Sequence, residues 1–62
     1  MIKFEGDYIN NEKNGNGKEY EFGDLIFEGE YKNGKRNGKG KEFDWDGKII
    51  FEGEYENGGR IE

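Results

Sequence analysis

The stretch at positions 27–45, FEGEYKNGKRNGKGKEFDW, decides the fold because most of the remaining chain repeats it. Its first motif, FEGEY, returns at residues 51–55 and, as FEGDY, at residues 4–8, so that successive copies start 23 and 24 residues apart. A fixed period of this length is typical of a repeat array, in which one supersecondary unit stacks on the next. The sequence therefore predicts a single array over residues 1–62, with repeat 1 at 4–26, repeat 2 at 27–50 and a partial repeat 3 at 51–62.

Apolar and charged residues alternate within each repeat, which is the pattern of a β-strand with one buried face. We expect strands at residues 2–9, 18–22, 25–31, 39–45 and 49–55. Asn- and Gly-rich turns separate them, and Asp46-Gly47 is the strongest two-residue hairpin signal. The chain is predicted to be all-β, an antiparallel meander of β-hairpin repeats in one elongated, curved sheet of about five strands, with residues 56–62 as a turn and a frayed tail.

Alternation along these strands predicts two unlike faces. Ten of the fifteen acids fall on one face, where Glu28 and Glu30 would oppose Glu42 and Asp44, and interspersed lysines indicate a solvated surface rather than a weak Ca²⁺ site. Every aromatic residue falls on the other face, which we expect to be the packing and interaction surface. Its members are Phe4, Tyr8, Tyr20, Phe22, Phe27, Tyr31, Phe43, Trp45, Phe51 and Tyr55.

The spacing of aromatics and glycines carries a family resemblance. Phe27, Gly29 and Tyr31, followed by glycines at 34, 38 and 40, resemble the MORN repeat, whose pattern is roughly aromatic-x-G-x-aromatic-x-x-G-x-x-x-G-x-G. The copy that starts at Phe4 departs from this pattern at Asn11, where a turn glycine is expected, and the copy that starts at Phe51 covers only the first part. The resemblance implies a β-repeat fold, scaffolding roles and dimers formed through the repeats.

Composition excludes several classes of function. The chain has no Cys, His, Ser or Thr, so the usual nucleophile–base pairs are missing, and we expect no enzyme, no cofactor and no metal site. A net charge of −5 does not suit a phosphate backbone, so nucleic acid is not an expected partner. With no secretory segment and no apolar run of membrane-spanning length, we expect a soluble array in an undecided compartment.

One basic cluster lies in the predicted turn of repeat 2. It supplies cations for anionic headgroups or other anions, and MORN repeats have been proposed to bind lipid. This gives an alternative function, a peripheral module at a membrane surface. The cluster consists of Lys32, Lys35, Arg36, Lys39 and Lys41.

The lack of a covering layer gives the main functional hypothesis. A single sheet needs its apolar face covered, and its outer strands offer unpaired backbone groups. We therefore predict a non-catalytic module for protein–protein interaction or self-assembly, with itself or another protein as partner. One form of assembly pairs the fifth strand of one chain with the first strand of the next, as in a filament. A further alternative is a fragment or engineered repeat with no function of its own.

Overall fold

A computed structural model of the chain describes residues 2–61, which form one six-stranded sheet. Consecutive strands pair antiparallel in the order β1-β2-β3-β4-β5-β6, so the predicted all-β meander is confirmed. Within residues 2–61 there is no helix of the length and apolarity needed to cross a membrane. The strands are β1 (Ile2–Ile9), β2 (Glu12–Glu21), β3 (Asp24–Lys32), β4 (Lys35–Phe43), β5 (Ile49–Glu56) and β6 (Gly59–Ile61).

The sheet has six strands instead of about five because the predicted frayed tail contains one. Asn57 and Gly58, both with positive φ, form a two-residue turn after β5. The chain then returns as β6, in which Arg60 lies opposite Tyr55 and Ile61 lies opposite Glu54. The last residue of the predicted tail, Glu62, lies outside the described residues.

Two turns are much shorter than the sequence predicts. The predicted turns at residues 10–17 and 32–38 contract to Asn10 with Asn11 and Asn33 with Gly34, each pair with positive φ as in a type I′ hairpin. The asparagine and glycine residues after them belong to β2 and β4. There, three residues of β2 or β4 lie beside one acid of the preceding strand. In β4, the main-chain N–H of Lys39 donates to Glu30 Oε1 at 2.9 Å.

The predicted two-residue turn at Asp46 and Gly47 is a longer loop. Asp44 N–H donates to the carbonyl oxygen of Lys48 at 2.9 Å, so residues 45–47 form the tip. The Asp44 carboxylate accepts from the main-chain N–H groups of Asp46 and Lys48, both at 2.9 Å. The Asp44 carboxylate therefore stabilises the loop, which is a common role of aspartate in turns.

Six aromatic rings pack edge to face in a continuous row on one face of the sheet. Neighbouring centroids are 4.9 to 5.6 Å apart and the ring planes are 82° to 88° from each other, the geometry that aromatic pairs prefer. Phe27, Tyr31 and Tyr55 are 0%, 4% and 2% exposed and form the core. In order along this aromatic row the rings are Tyr8, Phe4, Tyr31, Phe27, Tyr55 and Phe51.

Two buried glycines make room for the row. A Cβ on Gly40 would lie 2.6 Å from the Phe27 ring and 2.9 Å from the Tyr55 ring, and Gly17 has the same relation to Phe4 and Tyr31. Real Cβ atoms essentially never come this close, so these rings occupy the space that a side chain would take. The glycines between the aromatics are therefore part of the core packing.

We predict that Gly40→Ala destabilises the protein by roughly 1–3 kcal/mol, because the added methyl group overpacks the ring row. In a domain of this size each kcal/mol lowers the melting temperature by about 4–8 °C, which thermal unfolding followed by circular dichroism would measure. Gly59→Ala is the matched control, since its Cβ would meet its nearest neighbouring atom at 3.9 Å. Equal losses in the two variants would contradict this account of the core.

Candidate functional site

A tyrosine and a cation face each other across the strands in every repeat. Tyr31 lies opposite Arg36, Tyr55 lies opposite Arg60, and the same relation joins Tyr8 and Lys13. Each cation also stacks on the phenylalanine of its own repeat. The distances to the ring centroids are 4.6 Å for Lys13 over Phe4, 4.0 Å for Arg36 over Phe27 and 4.3 Å for Arg60 over Phe51.

A glutamate from repeat 1 joins the tyrosine and the arginine of repeat 2. The Tyr31 hydroxyl donates to Glu19 Oε2, and the Arg36 guanidinium donates from Nε and Nη2 to the two carboxylate oxygens, both at 3.1 Å. This bidentate, charge-assisted geometry is among the strong hydrogen-bonding arrangements in proteins. We call the set of Glu19, Tyr31 and Arg36 the first carboxylate site.

The same arrangement recurs one repeat further along. Tyr55 donates to Glu42 Oε2 at 2.5 Å, and Arg60 donates to both carboxylate oxygens at 2.9 Å. Arg36 Nη1 lies 3.8 Å from Glu42 Oε2, so this arginine stands between two glutamates. Glu42, Tyr55 and Arg60 form the second carboxylate site, and the two sites join each repeat to the next.

The environment keeps both glutamates ionised. Hydrogen bonds from Arg60 lower the pKa of Glu42 to about 2, against an opposing effect of burial and with help from Tyr55. Burial favours the neutral form of Glu19, yet bonds from Arg36 and Tyr31 outweigh it and leave the pKa below its usual value. Burial and the bond to Glu42 raise the pKa of Tyr55 to about 12, so its hydroxyl stays a donor.

The sequence places the glutamates of β2 and β4 on the wrong face. In the structure Glu19 lies directly opposite Phe4 and Phe27, on the aromatic face, and Tyr20 is opposite Lys3 and Leu25 on the other face. Because side chains alternate along a strand, a register that differs by one residue exchanges the two faces.

Four aromatic residues of the predicted packing face are therefore outside the ring row. Tyr20 in β2 and Phe43 in β4 belong to the opposite face of the sheet, as follows from the register of their strands. Phe22 lies in the turn between β2 and β3, and Trp45 lies in the loop between β4 and β5. These last two side chains are 82% and 60% exposed.

The predicted acidic face is in fact mixed in charge. Glu28 lies opposite Lys18 on one side and Lys41 on the other, so the predicted pairing of Glu28 and Glu30 with Glu42 and Asp44 is wrong. Ion pairs at 3.9 Å and 4.0 Å link Lys18 to Glu28 and Lys41 to Glu52. An open groove of about 440 Å³ lies on this face, where Gly40 and Gly53 oppose each other.

The basic residues of repeat 2 do not form one patch. Arg36 lies on the aromatic face and is engaged by Glu19, whereas Lys41 lies on the opposite face beside Glu52. Lys32 and Lys35 oppose each other at the turn, and Lys39 lies opposite Glu54. Binding of lipid by these residues stays a prediction, but the structure does not bring the five charges together.

Glu19, Glu42, Lys13 and Arg60 are the site residues that sequence reasoning missed. Their signal is the repeat period: Phe, Tyr, a cation and Glu follow one another at intervals of four, five and six residues. Repeats 1 and 2 carry the complete series, and repeat 3 carries its first three members. The series in repeat 1 is Phe4, Tyr8, Lys13 and Glu19, and in repeat 2 it is Phe27, Tyr31, Arg36 and Glu42.

The second carboxylate site predicts a specific acid sensitivity. The pKa of Glu42 is about 2 in the folded protein and 4.5 at its ordinary value, so the unfolded state takes up the proton first as the pH falls. The stabilisation by ionised Glu42 is therefore complete above pH 4.5 and is lost between pH 4.5 and 2. We expect Glu42→Gln to make the free energy of unfolding less dependent on pH in this window.

Urea unfolding at a series of pH values would measure the effect. Glu52→Gln is the control, because Glu52 is an exposed glutamate on the opposite face. A Glu42→Gln variant with the acid dependence of the parent protein would show that this carboxylate does not join the repeats energetically.

Comparison with known proteins supports the repeat assignment. The family model of the MORN repeat matches residues 4–20 and 27–47, more than half of the chain. Searches of curated proteins and of solved structures return no significant match. The MORN repeat is a non-catalytic repeat family, commonly found in protein or membrane interaction. The bounds predicted for the three repeats stay a prediction. The matched residues carry four of the six rings of the aromatic row and the whole first carboxylate site, and the chain belongs to the MORN repeat family.

Proposed function

We propose that this chain is a non-catalytic protein-interaction module that self-associates through the end of its sheet where Phe22 and Trp45 lie. The observation that carries the proposal is the exposure and backbone conformation of Phe22. Its side chain is 82% exposed, and its φ is 52°. Both properties are unfavourable for a phenylalanine in an isolated monomer. A protein partner would make use of the exposed ring.

The backbone of Phe22 sets it apart from the other turn residues. Among residues 2–61, positive φ otherwise occurs only at asparagine and glycine, which adopt this conformation readily. A bulky residue held there costs on the order of 1 kcal/mol or more, and such strain concentrates at functional positions. The turn would form more easily with asparagine, so the fold alone does not explain a phenylalanine at this position.

Other exposed apolar residues surround the same end of the sheet. In a meander, the β2–β3 turn and the β4–β5 loop lie at one end, which brings Phe22 and Trp45 to a common rim. Ile49 and Ile50, which follow the loop, are also largely exposed. Beside Phe22 is a groove of about 300 Å³ lined by Tyr20, Lys3 and Glu5. Exposed apolar clusters of this kind mark interaction surfaces.

The alternative routes to association have less support. Phe27 is fully buried and Arg36 stacks over it, so the aromatic face is already covered by the chain itself. The fifth strand is paired on both sides, which removes the predicted continuation from strand five to strand one. A membrane surface is less well supported because Arg36 is bound to Glu19.

The lack of catalytic activity is part of the proposal. The chain has no His, Cys, Ser or Thr, and the glutamates with lowered pKa values are engaged by arginine and tyrosine. Such carboxylates are poor general acids or bases near neutral pH. The geometry favours a structural role for them.

Phe22→Asn tests the proposal because it should change stability and association in opposite directions. We expect the monomer to gain about 1 kcal/mol from relief of the turn strain. We also expect the dissociation constant for self-association to rise at least tenfold as the exposed ring is lost. Light scattering over a concentration series would give the mass, and thermal unfolding at low concentration would give the stability.

Ile9→Asn is the matched control, since it removes an exposed apolar side chain at the opposite end of the sheet. Its association should equal that of the parent protein. A parent chain that stays monomeric up to millimolar concentration would refute self-association through this end.

A further inference from the structure

The outer strand β1 carries most of a third carboxylate site. Tyr8 and Lys13 are opposite each other, Lys13 stacks 4.6 Å from the Phe4 ring centroid, and the Phe4 and Tyr8 rings are 5.4 Å apart at 82°. These are the relations of Tyr31, Arg36 and Phe27 in the first carboxylate site. Tyrosine, cation and ring are therefore arranged as they are where a glutamate binds.

This set is accessible along the edge of the sheet. Tyr8 is 56% exposed, against 4% for Tyr31 and 2% for Tyr55. Among residues 2–61, no carboxylate accepts a hydrogen bond from the Tyr8 hydroxyl, and β1 pairs with β2 alone. An added strand would find both an unpaired edge and donors for an acidic side chain.

The two internal sites define what such a strand must contain. In both, the glutamate lies directly opposite the phenylalanine of the next repeat, as Glu19 is opposite Phe27. Two residues before it stands a glycine, as Gly17 is opposite Gly29, because the rings leave no space for a Cβ. An added strand must therefore contain an extended Gly-x-Glu segment whose Gly would lie opposite Gly6 and whose Glu would lie opposite Phe4.

From these relations we propose that the outer edge of β1 binds a Gly-x-Glu strand of another protein, whose glutamate accepts hydrogen bonds from the Tyr8 hydroxyl and the Lys13 ammonium. The proposal rests on the role of the chain as a protein-interaction module, but it uses a different surface from the Phe22 end. Charge favours the proposal as well, because Lys13 is a cation at the position that Arg36 and Arg60 occupy in the other repeats.

A second folded copy of the chain does not offer this strand. Its two Gly-x-Glu segments, at 17–19 and 40–42, lie in β2 and β4, which have a strand on each side. The other outer strand, β6, has the sequence Gly59-Arg60-Ile61. The occupant that we propose is a segment of a different protein, bound by main-chain pairing and one buried acidic side chain.

A synthetic peptide with the sequence of residues 35–44, KRNGKGKEFD, is a direct probe because it contains Gly40 and Glu42. Titrated into isotope-labelled protein, it should shift the amide resonances of β1 and the ring signals of Tyr8. Replacing its glutamate, Glu42→Gln, should weaken binding about tenfold, since the bonds lost are charge-assisted. Gly40→Ala in the peptide should weaken binding as well.

Changes in the protein test the same contact from the other side. Tyr8→Phe should reduce the affinity difference between the Glu and Gln peptides, because one of the two donors is gone. Tyr20→Phe is the control, since Tyr20 belongs to the opposite face. Both variants remove only a hydroxyl, and Tyr8 is mostly exposed, so the fold should persist.

The result that would overturn the proposal is equal affinity for the Glu and Gln peptides, or no binding of either one. Resonance shifts confined to β6 or to the Phe22 turn would also overturn it. Phe22→Asn should bind the peptide as the parent protein does, so failure of self-association and failure of this edge site are distinguishable.

Discussion

The structure depends on an ionised glutamate held between a tyrosine hydroxyl and an arginine at the junction of two repeats. A carboxylate beside aromatic rings is costly unless it is paired and hydrogen-bonded. Here Glu19 and Glu42 each accept bonds from both partners, and each arginine also covers a phenylalanine ring. The contact joins polar and apolar packing in one place and fixes how successive repeats stack.

This contact explains how a chain of 62 residues with 29% hydrophobic composition forms a folded sheet. Sheets usually cover their apolar face with a second layer. In residues 2–61 the cover is supplied by Arg36, Arg60 and Lys13, whose cationic groups stack on the rings. Long charged side chains readily cover apolar surface in this way, so the chain itself covers these rings.

The surfaces of the two proposed interactions lie at the periphery of the sheet. Interior repeats satisfy one another, as expected of arrays in which each unit contacts only its neighbours. The Phe22 end exposes apolar rings, whereas the β1 edge presents Tyr8 and Lys13 as donors. The two surfaces differ in chemistry, and the proposed self-association and the proposed binding of an acidic strand therefore use separate parts of the sheet.

The sequence by itself determined the repeat and the strand class, since these follow from the period of the motifs and from the alternation of apolar and charged residues. It also placed Phe4, Phe27 and Phe51 on one predicted packing face. Only the tertiary structure decided that Glu19 and Glu42 share their face and that Tyr20 and Phe43 do not. The reason is physical. Alternation fixes on which face each side chain lies relative to the others of its own strand, but turn length and irregular pairing decide which faces of two neighbouring strands coincide. A change of one residue in register exchanges the two faces.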